Sequence, residues 1–183
     1  MNARTSTGVL RAEHQRILQV VAVLEPLLEA DPGLLDLATI GKCVRFFRLF
    51  ADACHHGKEE GLLFPALEAR GMPHDAGPIA VMLHEHRLGR HHVAAMAAAL
   101  GEGEGHAVDA AGLVRAGRDY IELIRGHILK EDHVLFEMAD QMVVGPPCDR
   151  LCAAYASTAD DRYEGCTRVQ LEALGDEIVE TAS

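Results

Sequence analysis

The chain has 183 residues, with 17 basic and 28 acidic side chains and a formal charge of −11, a length that fits one core of about 100 to 200 residues. Apolar residues make up 49% and charged residues 25%, which describes a globular chain and not a disordered one. The acidic balance excludes the clustered lysine and arginine that a phosphate backbone demands, so no nucleic-acid partner is expected. No apolar run reaches the roughly 18 to 20 residues of a bilayer crossing, and the first residues lack the apolar stretch of a secretory signal. A cytoplasmic protein without membrane association is therefore expected. Five cysteines (Cys43, Cys54, Cys148, Cys152 and Cys166) with no close Cys-x-x-Cys pair fit reduced thiols. Eleven histidines are the unusual feature of the composition.

In chain order, a first helix is expected over residues 7–30, with Leu10, Ile17, Val20, Val21, Leu24 and Leu28 on one face and a stop at Asp31, Pro32 and Gly33. A second starts near Asp36, an acceptable N-cap, and carries Val44, Phe47, Phe50 and Ala51 towards Phe64 and Pro65, where the missing amide should bend or end it. Gly71, Met72 and Pro73 close that segment. The third begins around Gly77 and Pro78 and runs to Leu100, before a Gly-Glu-Gly-Glu-Gly linker at 101–105. The fourth covers 108–142 and stops before Gly145, Pro146 and Pro147. Almost nothing alternates as a half-buried strand would, so the fold class is all-α. Residues 1–144 are expected to form a four-helix domain, and 145–183 one or two further helices packed outside it through Leu151, Tyr155, Leu171, Leu174 and Ile178.

Shifting the sequence by 72 positions, the separation of His14 from His86, lays the rare residues of one half on those of the other. Glu13-His14 falls on Glu85-His86, His55 on His127, Lys58 on Lys130, Glu59 on Glu131, Leu63 on Leu135 and Phe64 on Phe136. Two helical hairpins related by an approximate two-fold axis follow, each giving one histidine from its first helix and a His/Glu pair from its second. Residues four apart on a helix face the same way, with Cβ atoms about 5 to 6 Å apart, so His55 with Glu59 and His127 with Glu131 each point at one target. Four imidazoles (His14, His55, His86, His127) and two carboxylates (Glu59, Glu131) would suit two divalent metals bridged by both carboxylates, with iron or manganese favoured by the donor types. A structural zinc site needs only four ligands and usually includes thiolate. A single histidine or glutamate in a helix normally faces water or a hydrogen-bond partner; the repeat argues otherwise for these six. His56, His74, His84, His91, His92, His106 and His133 have no partner at that offset and are expected at the surface or behind the ligands. Asp132 lies five residues after His127 and is the competing choice for the fourth-helix carboxylate.

The strings Glu13-His14, the 55–65 segment His-His-Gly-Lys-Glu-Glu-Gly-Leu-Leu-Phe-Pro, Val81-Met82-Leu83-His84-Glu85-His86 and His127-Ile128-Leu129-Lys130-Glu131-Asp132 resemble the hemerythrin-like cation-binding (HHE) family over about residues 8–142. The resemblance implies an up-and-down four-helix bundle with a non-haem di-iron centre, two iron ions joined by two carboxylates and a bridge that an oxo, hydroxo or water ligand can complete. It assigns the ligands to His14, His55, Glu59, His86, His127 and Glu131. Oxygen-carrying hemerythrins add a fifth histidine one turn before the third-helix ligand, where this chain has Met82. They also place the last carboxylate five residues after the fourth-helix histidine. The family's iron-sulfur repair members carry paired cysteines in an added N-terminal domain, whereas the first cysteine here is Cys43.

The leading expectation is a di-iron protein that binds or reacts with dioxygen, nitric oxide or peroxide at an open coordination position, which Met82 in place of an imidazole would widen. The alternative is a sensor or iron-handling module without turnover, reporting through the C-terminal segment with its Cys148, Cys152 and Cys166, where Cys148 and Cys152, one turn apart on a helix, could act as a thiol switch against the commoner outcome of inert buried cysteine. Ferritin-like storage is excluded because none of the eleven histidines has a glutamate three residues before it. Tyr120, two turns before His127, is a candidate proton or electron donor or simply a core residue. Gly57 and Gly126 are expected to mark tight packing or a ligand path.

Overall fold

The computed structural model describes residues 5–31, 33–101, 107–158 and 161–181. Pro32, most of the 101–105 linker and His106 lie outside the described residues. Among the described residues, six helices account for nearly all of the fold, with one hairpin of two-residue strands. Helix α1 (Gly8–Leu27) buries Leu10, Ile17, Val20, Val21 and Leu24, the predicted stripe. It does not start with a side-chain cap: the Thr7 hydroxyl instead donates to Asp140 at 2.8 Å, and the Ser6 hydroxyl donates to the same carboxylate at 2.8 Å, tying the start of α1 to the last turns of the fourth bundle helix.

Helix α2 spans 37–68 and is capped by Asp36, whose side chain accepts from the Thr39 amide at 3.0 Å. It opens as an α-helix (Leu37–Phe46), then widens into two π-helical stretches (Phe47–His56 and Glu59–Leu63) and closes as Phe64–Glu68. Pro65 therefore does not end it, because the proline falls at the join between the second wide stretch and the last α turn. Helix α3 (Gly77–Ala99) begins with Gly77 at φ 66 followed by Pro78 at the favoured first turn. Helix α4 spans 110–142, capped by Asp109 on the Gly112 amide, with a π-helical stretch at Glu131–Leu135. His14 lies near the start of α1 and His86 in the first half of α3, while Glu59 and Glu131 lie near the ends of α2 and α4. Consecutive helices that bring these residues together must run in opposite directions.

The core is split in two. One cluster includes Ile17, Phe46, Phe47, Met96, Leu113 and Tyr120; the other includes Leu10, Leu63, Phe64, Ile79, Met82 and Phe136. Burial of each large side chain contributes about 1.5 to 3 kcal/mol, and the two clusters leave a polar layer between them. After the bundle, α5 (Pro146–Ser157) lays Cys148, Leu151 and Tyr155 onto the second cluster and packs on Glu59–Leu63. Strands β1 (Arg162–Tyr163) and β2 (Cys166–Thr167) pair antiparallel about Glu164 and Gly165, both at positive φ as a two-residue hairpin turn requires. This hairpin is not foreshadowed in the sequence, since two residues are too few to show alternation. Helix α6 (Arg168–Thr181) adds Leu171 and Ile178 to the first cluster, with Gly175 so close to Phe46 that a Cβ would stand 2.8 Å from its ring. A Cβ at Gly126 would meet nothing within 4 Å and one at Gly57 only the Asp52 carbonyl at 4.0 Å, so neither glycine marks tight packing.

Candidate metal centre

The polar layer holds seven buried residues in two adjoining groups: His14, His55, Glu59 and Glu131, and His56, Glu59, His86 and His127. Within each group the donor atoms lie within 4.8 Å of one another. Glu59 spans the two, with Oε1 3.4 Å from His55 Nε2 and Oε2 3.4 Å from His86 Nε2. Glu131 does the same through Oε2, 3.1 Å from His14 Nε2 and 3.2 Å from His127 Nε2. All six residues expected from the repeat are thus brought together. Asp132 sits outside the cage, where its carboxylate faces His14 Nδ1 at 2.9 Å.

Each imidazole is held from behind by a carboxylate, and four of these five contacts obey the 72-residue repeat. Glu13 meets His55 Nδ1 at 2.9 Å and Glu85 meets His127 Nδ1 at 3.1 Å; Glu60 meets His86 Nδ1 at 2.8 Å, as Asp132 meets His14. Lys58 and Lys130, matched in sequence without an assigned role, bind Glu13 and Glu85 respectively. Phe136 stacks on His14 with ring centroids 5.1 Å apart, and Phe64 on His86 at 5.9 Å. Apart from the leucines, which pack in the second apolar cluster, every match of the repeat outside the cage therefore orients or covers a cage residue. A carboxylate on Nδ1 fixes the ring and leaves Nε2 as the inward donor, the arrangement seen behind metal-bound histidines.

His56 is expected from the sequence at the surface or behind the ligands, and the structure places it in the cage. It is buried, stacks on His86 with centroids 3.8 Å apart, and faces Asp52 through Nδ1 at 3.4 Å. Ile128 stands at its repeat position, so the offset is silent about it. The signal that could have found it is Asp52 one turn earlier together with the consecutive pair His55-His56. In the π-helical stretch ending at His56, the wider turn lets two successive imidazoles face inward. His56 thus supplies a fifth imidazole from α2, whereas Met82, on α3 one turn before His86, is buried in the second apolar cluster. Five imidazoles are thus gathered in the cage although Met82 stands one turn before His86. Arg90 clamps the carboxylates behind the second group, at 2.7 Å from Asp52 and 2.7 Å from Glu60. Beside it, a cavity of about 400 Å³ lined by Phe47, His56, Gly89, Val93 and Tyr120 reaches the cage. Tyr120 packs in that wall against Phe47, with ring centroids 4.7 Å apart.

The electrostatics divide the carboxylates from the rings. Burial alone would raise the Glu13 carboxyl, but the hydrogen bond and charge of His55 and the Lys58 ammonium hold it down at about 2. Glu60 is held at about 2 mainly by its hydrogen bond to His86, against burial, with Arg90 adding to it. Burial opposes charge on His14 and His127, yet Asp132 and Glu131 raise the first to about 9 and Glu131 and Glu85 raise the second to about 10. His56 goes the other way: burial, reinforced by the neighbouring imidazoles, keeps it neutral. Protons on His14 and His127 thus sit where a cation would neutralise Glu131, and a cation taking their place must release them.

Among the described residues, buried side-chain atoms without a hydrogen-bond partner concentrate here: Nε2 of His14, His55, His56, His86 and His127, and both oxygens of Glu59 and Glu131. Leaving even one such atom unsatisfied costs about 1 to 3 kcal/mol. These nine inward atoms of two donor types meet only one another across the cage, with Glu131 Oε2 3.1 and 3.2 Å from two of the imidazoles, a lining that fits bound cations. None of the five cysteines is in a disulfide, and none belongs to the two donor groups of the cage. Cys148 is buried and its thiol is pushed up to about 11 by burial and by Cys152 beside it, while Cys166 accepts from Arg45 at 3.2 Å.

A helical bundle with a buried His/Glu cage between two apolar clusters defines a cation-binding domain. The hemerythrin HHE cation-binding domain matches residues 5–139, and the chain belongs to that family. Neither the curated proteins nor the solved structures include a match to it. Among the described residues, no helix is long and apolar enough to cross a membrane.

Proposed function

We propose that the cage holds two iron ions and that the protein binds a small ligand of the dioxygen, nitric oxide or peroxide class at one of them. The observation that carries this is the uneven donor set: His56, His86 and His127 on one side, His14 and His55 on the other, with Glu59 and Glu131 between. Imidazole and carboxylate donors without thiolate suit iron. Bound there, two irons supply one-electron redox chemistry to a ligand at an open position. The side with two imidazoles is one donor poorer, so an exogenous ligand is assigned to it.

The chain's own contribution is orientation and exclusion of water. Glu13, Glu60, Glu85 and Asp132 fix four rings with Nε2 inward, and Asp52 sets the fifth. Phe64 and Phe136 cover the rings from the second cluster. Lys58, itself buried, balances the charge of Glu13 so that the ring of His55 is held without leaving an unpaired carboxylate. The test is anaerobic titration of the reduced, iron-loaded protein with nitric oxide, followed optically. Saturation at one nitric oxide per metal pair is the expected result; two per pair, or none, would contradict the assignment.

A reading without turnover, in which the site reports to the C-terminal segment, is favoured by one contact. Arg168 at the start of α6 lies 3.3 Å from Glu13, the partner of His55. Oxidation or loss of metal would then be felt in α6, and a change in protease susceptibility of residues 161–181 on metal removal would support this second reading.

A further inference from the structure

Helix α5 lies beyond the residues matched by the family, 5–139. Its Tyr155 is 1% exposed, and its hydroxyl, like the nine inward atoms of the cage, is buried without a hydrogen-bond partner. The ring packs in the cluster of Leu10, Leu63, Phe64 and Phe136, and two of these residues directly cover ligand imidazoles. Burial pushes the phenol far up, and the charges of Glu59, Cys152, Glu13 and Asp140 add to the rise. The phenol is therefore a donor at every working pH. Glu13 belongs to His55, and Asp140 holds the start of α1 ahead of His14. Helix α5 packs on residues 59–63 of α2, and Cys152, one turn before Tyr155, lies 3.7 Å from the Thr5 carbonyl just ahead of α1, so Tyr155 stands against the helices that carry His55 and His14, the side of the cage with two imidazoles.

A buried hydroxyl without a partner is costly, and an apolar ring would fill the same space without that cost. The cage atoms have their partner in the cations, but a phenol O–H cannot serve a cation as a donor. It needs an acceptor that arrives with the metals. We propose that Tyr155 is the hydrogen-bond donor to a small anionic ligand held on the His14–His55 side of the metal pair, so that the segment after the bundle completes the ligand site. This rests on the metal pair proposed above. Tyr155 is a specificity-determining residue in this account: a ligand with a lone pair facing the phenol is retained, and one without it is not.

The experiment uses azide as the probe, on the oxidised, iron-loaded full chain, comparing the wild type with Tyr155→Phe. A hydrogen bond to a charged acceptor implies a loss of roughly tenfold or more in azide affinity for the variant, with unchanged iron content and a shifted infrared stretch of the bound azide. The metal-free variant should melt at the same temperature as the metal-free wild type or higher, since only an unpaired hydroxyl is removed. Unchanged azide affinity and stretch at full iron content would overturn the role of Tyr155 and leave the metal pair standing. A lower melting temperature of the metal-free variant would also overturn it, because the hydroxyl would then serve the fold. A wild-type chain that takes up no iron would overturn the metal pair and this proposal together.

Discussion

Glu13 and Glu85 occupy equivalent places in the repeat, each between a lysine and a cage histidine, yet removing them should have unequal consequences. Lys58 is almost wholly buried, with its ammonium 2.8 Å from Glu13 and 3.2 Å from the Cys54 sulfur. Lys130 is 45% exposed at its side chain. Glu13→Ala strands a buried charge, frees the ring of His55 and removes a partner of Arg168, a loss of about 3 to 5 kcal/mol by comparison with other broken buried pairs. For a chain of this size that is a fall of roughly 10 °C in melting temperature. Glu85→Ala leaves Lys130 to water and should cost about 1 kcal/mol or less, a few degrees at most. Both variants lose the carboxylate behind a ligand imidazole, so both should lose about 10- to 100-fold in metal affinity. Thermal unfolding of the metal-free proteins, with metal titrations alongside, separates the two effects. The pair Glu13→Leu with Lys58→Met should recover most of the lost stability, since both buried charges go together. Equal falls in melting temperature for Glu13→Ala and Glu85→Ala, or a double variant as unstable as the sum of its parts, would refute the reasoning.

His56→Ala should lower the bound metal far more than His84→Ala, because His56 lies in the cage and His84 does not; metal content of the two purified variants checks this, with equal content the contrary result. The metal-free protein should be most stable between about pH 4.5 and 6.5. Glu13 and Glu60, held at about 2, contribute stability that is present above 4.5 and lost as pH falls through 2, whereas His14 and His127, raised to about 9 and 10, contribute stability that is full below 6.5 and lost as pH rises through those values. Melting curves across pH show it, and a maximum above pH 9 would contradict it. Gly175→Ala should destabilise by about 1 to 3 kcal/mol through the clash with Phe46, while Gly126→Ala, with open space around it, should raise stability by up to about 1 kcal/mol; chemical denaturation of both variants measures the contrast.

The four long helices are legible in the sequence because their stripes and caps are local: Asp36 and Asp109 hold amides of the first turn at the starts of α2 and α4. The six repeat-related cage residues are legible because rare histidines and glutamates recur at one offset. The same repeat carries Glu13, Glu60, Lys58 and their counterparts, whose role as holders of the rings emerges only once the helices are packed. His56 escapes a reading based on α-helical spacing because α2 widens at the ligands, and because Ile128 breaks the repeat there. Pro65 reads as a break for the same reason. The β1–β2 hairpin and the contact of Gly175 with Phe46 depend on tertiary packing that no periodicity records.

The most direct test of the central claim is metal analysis of the protein as purified, together with its optical spectrum. The account predicts two irons per chain, matching the two adjoining donor groups, with oxo-to-iron charge-transfer absorption in the near ultraviolet that disappears on chelation. One zinc per chain with no such absorption would contradict it.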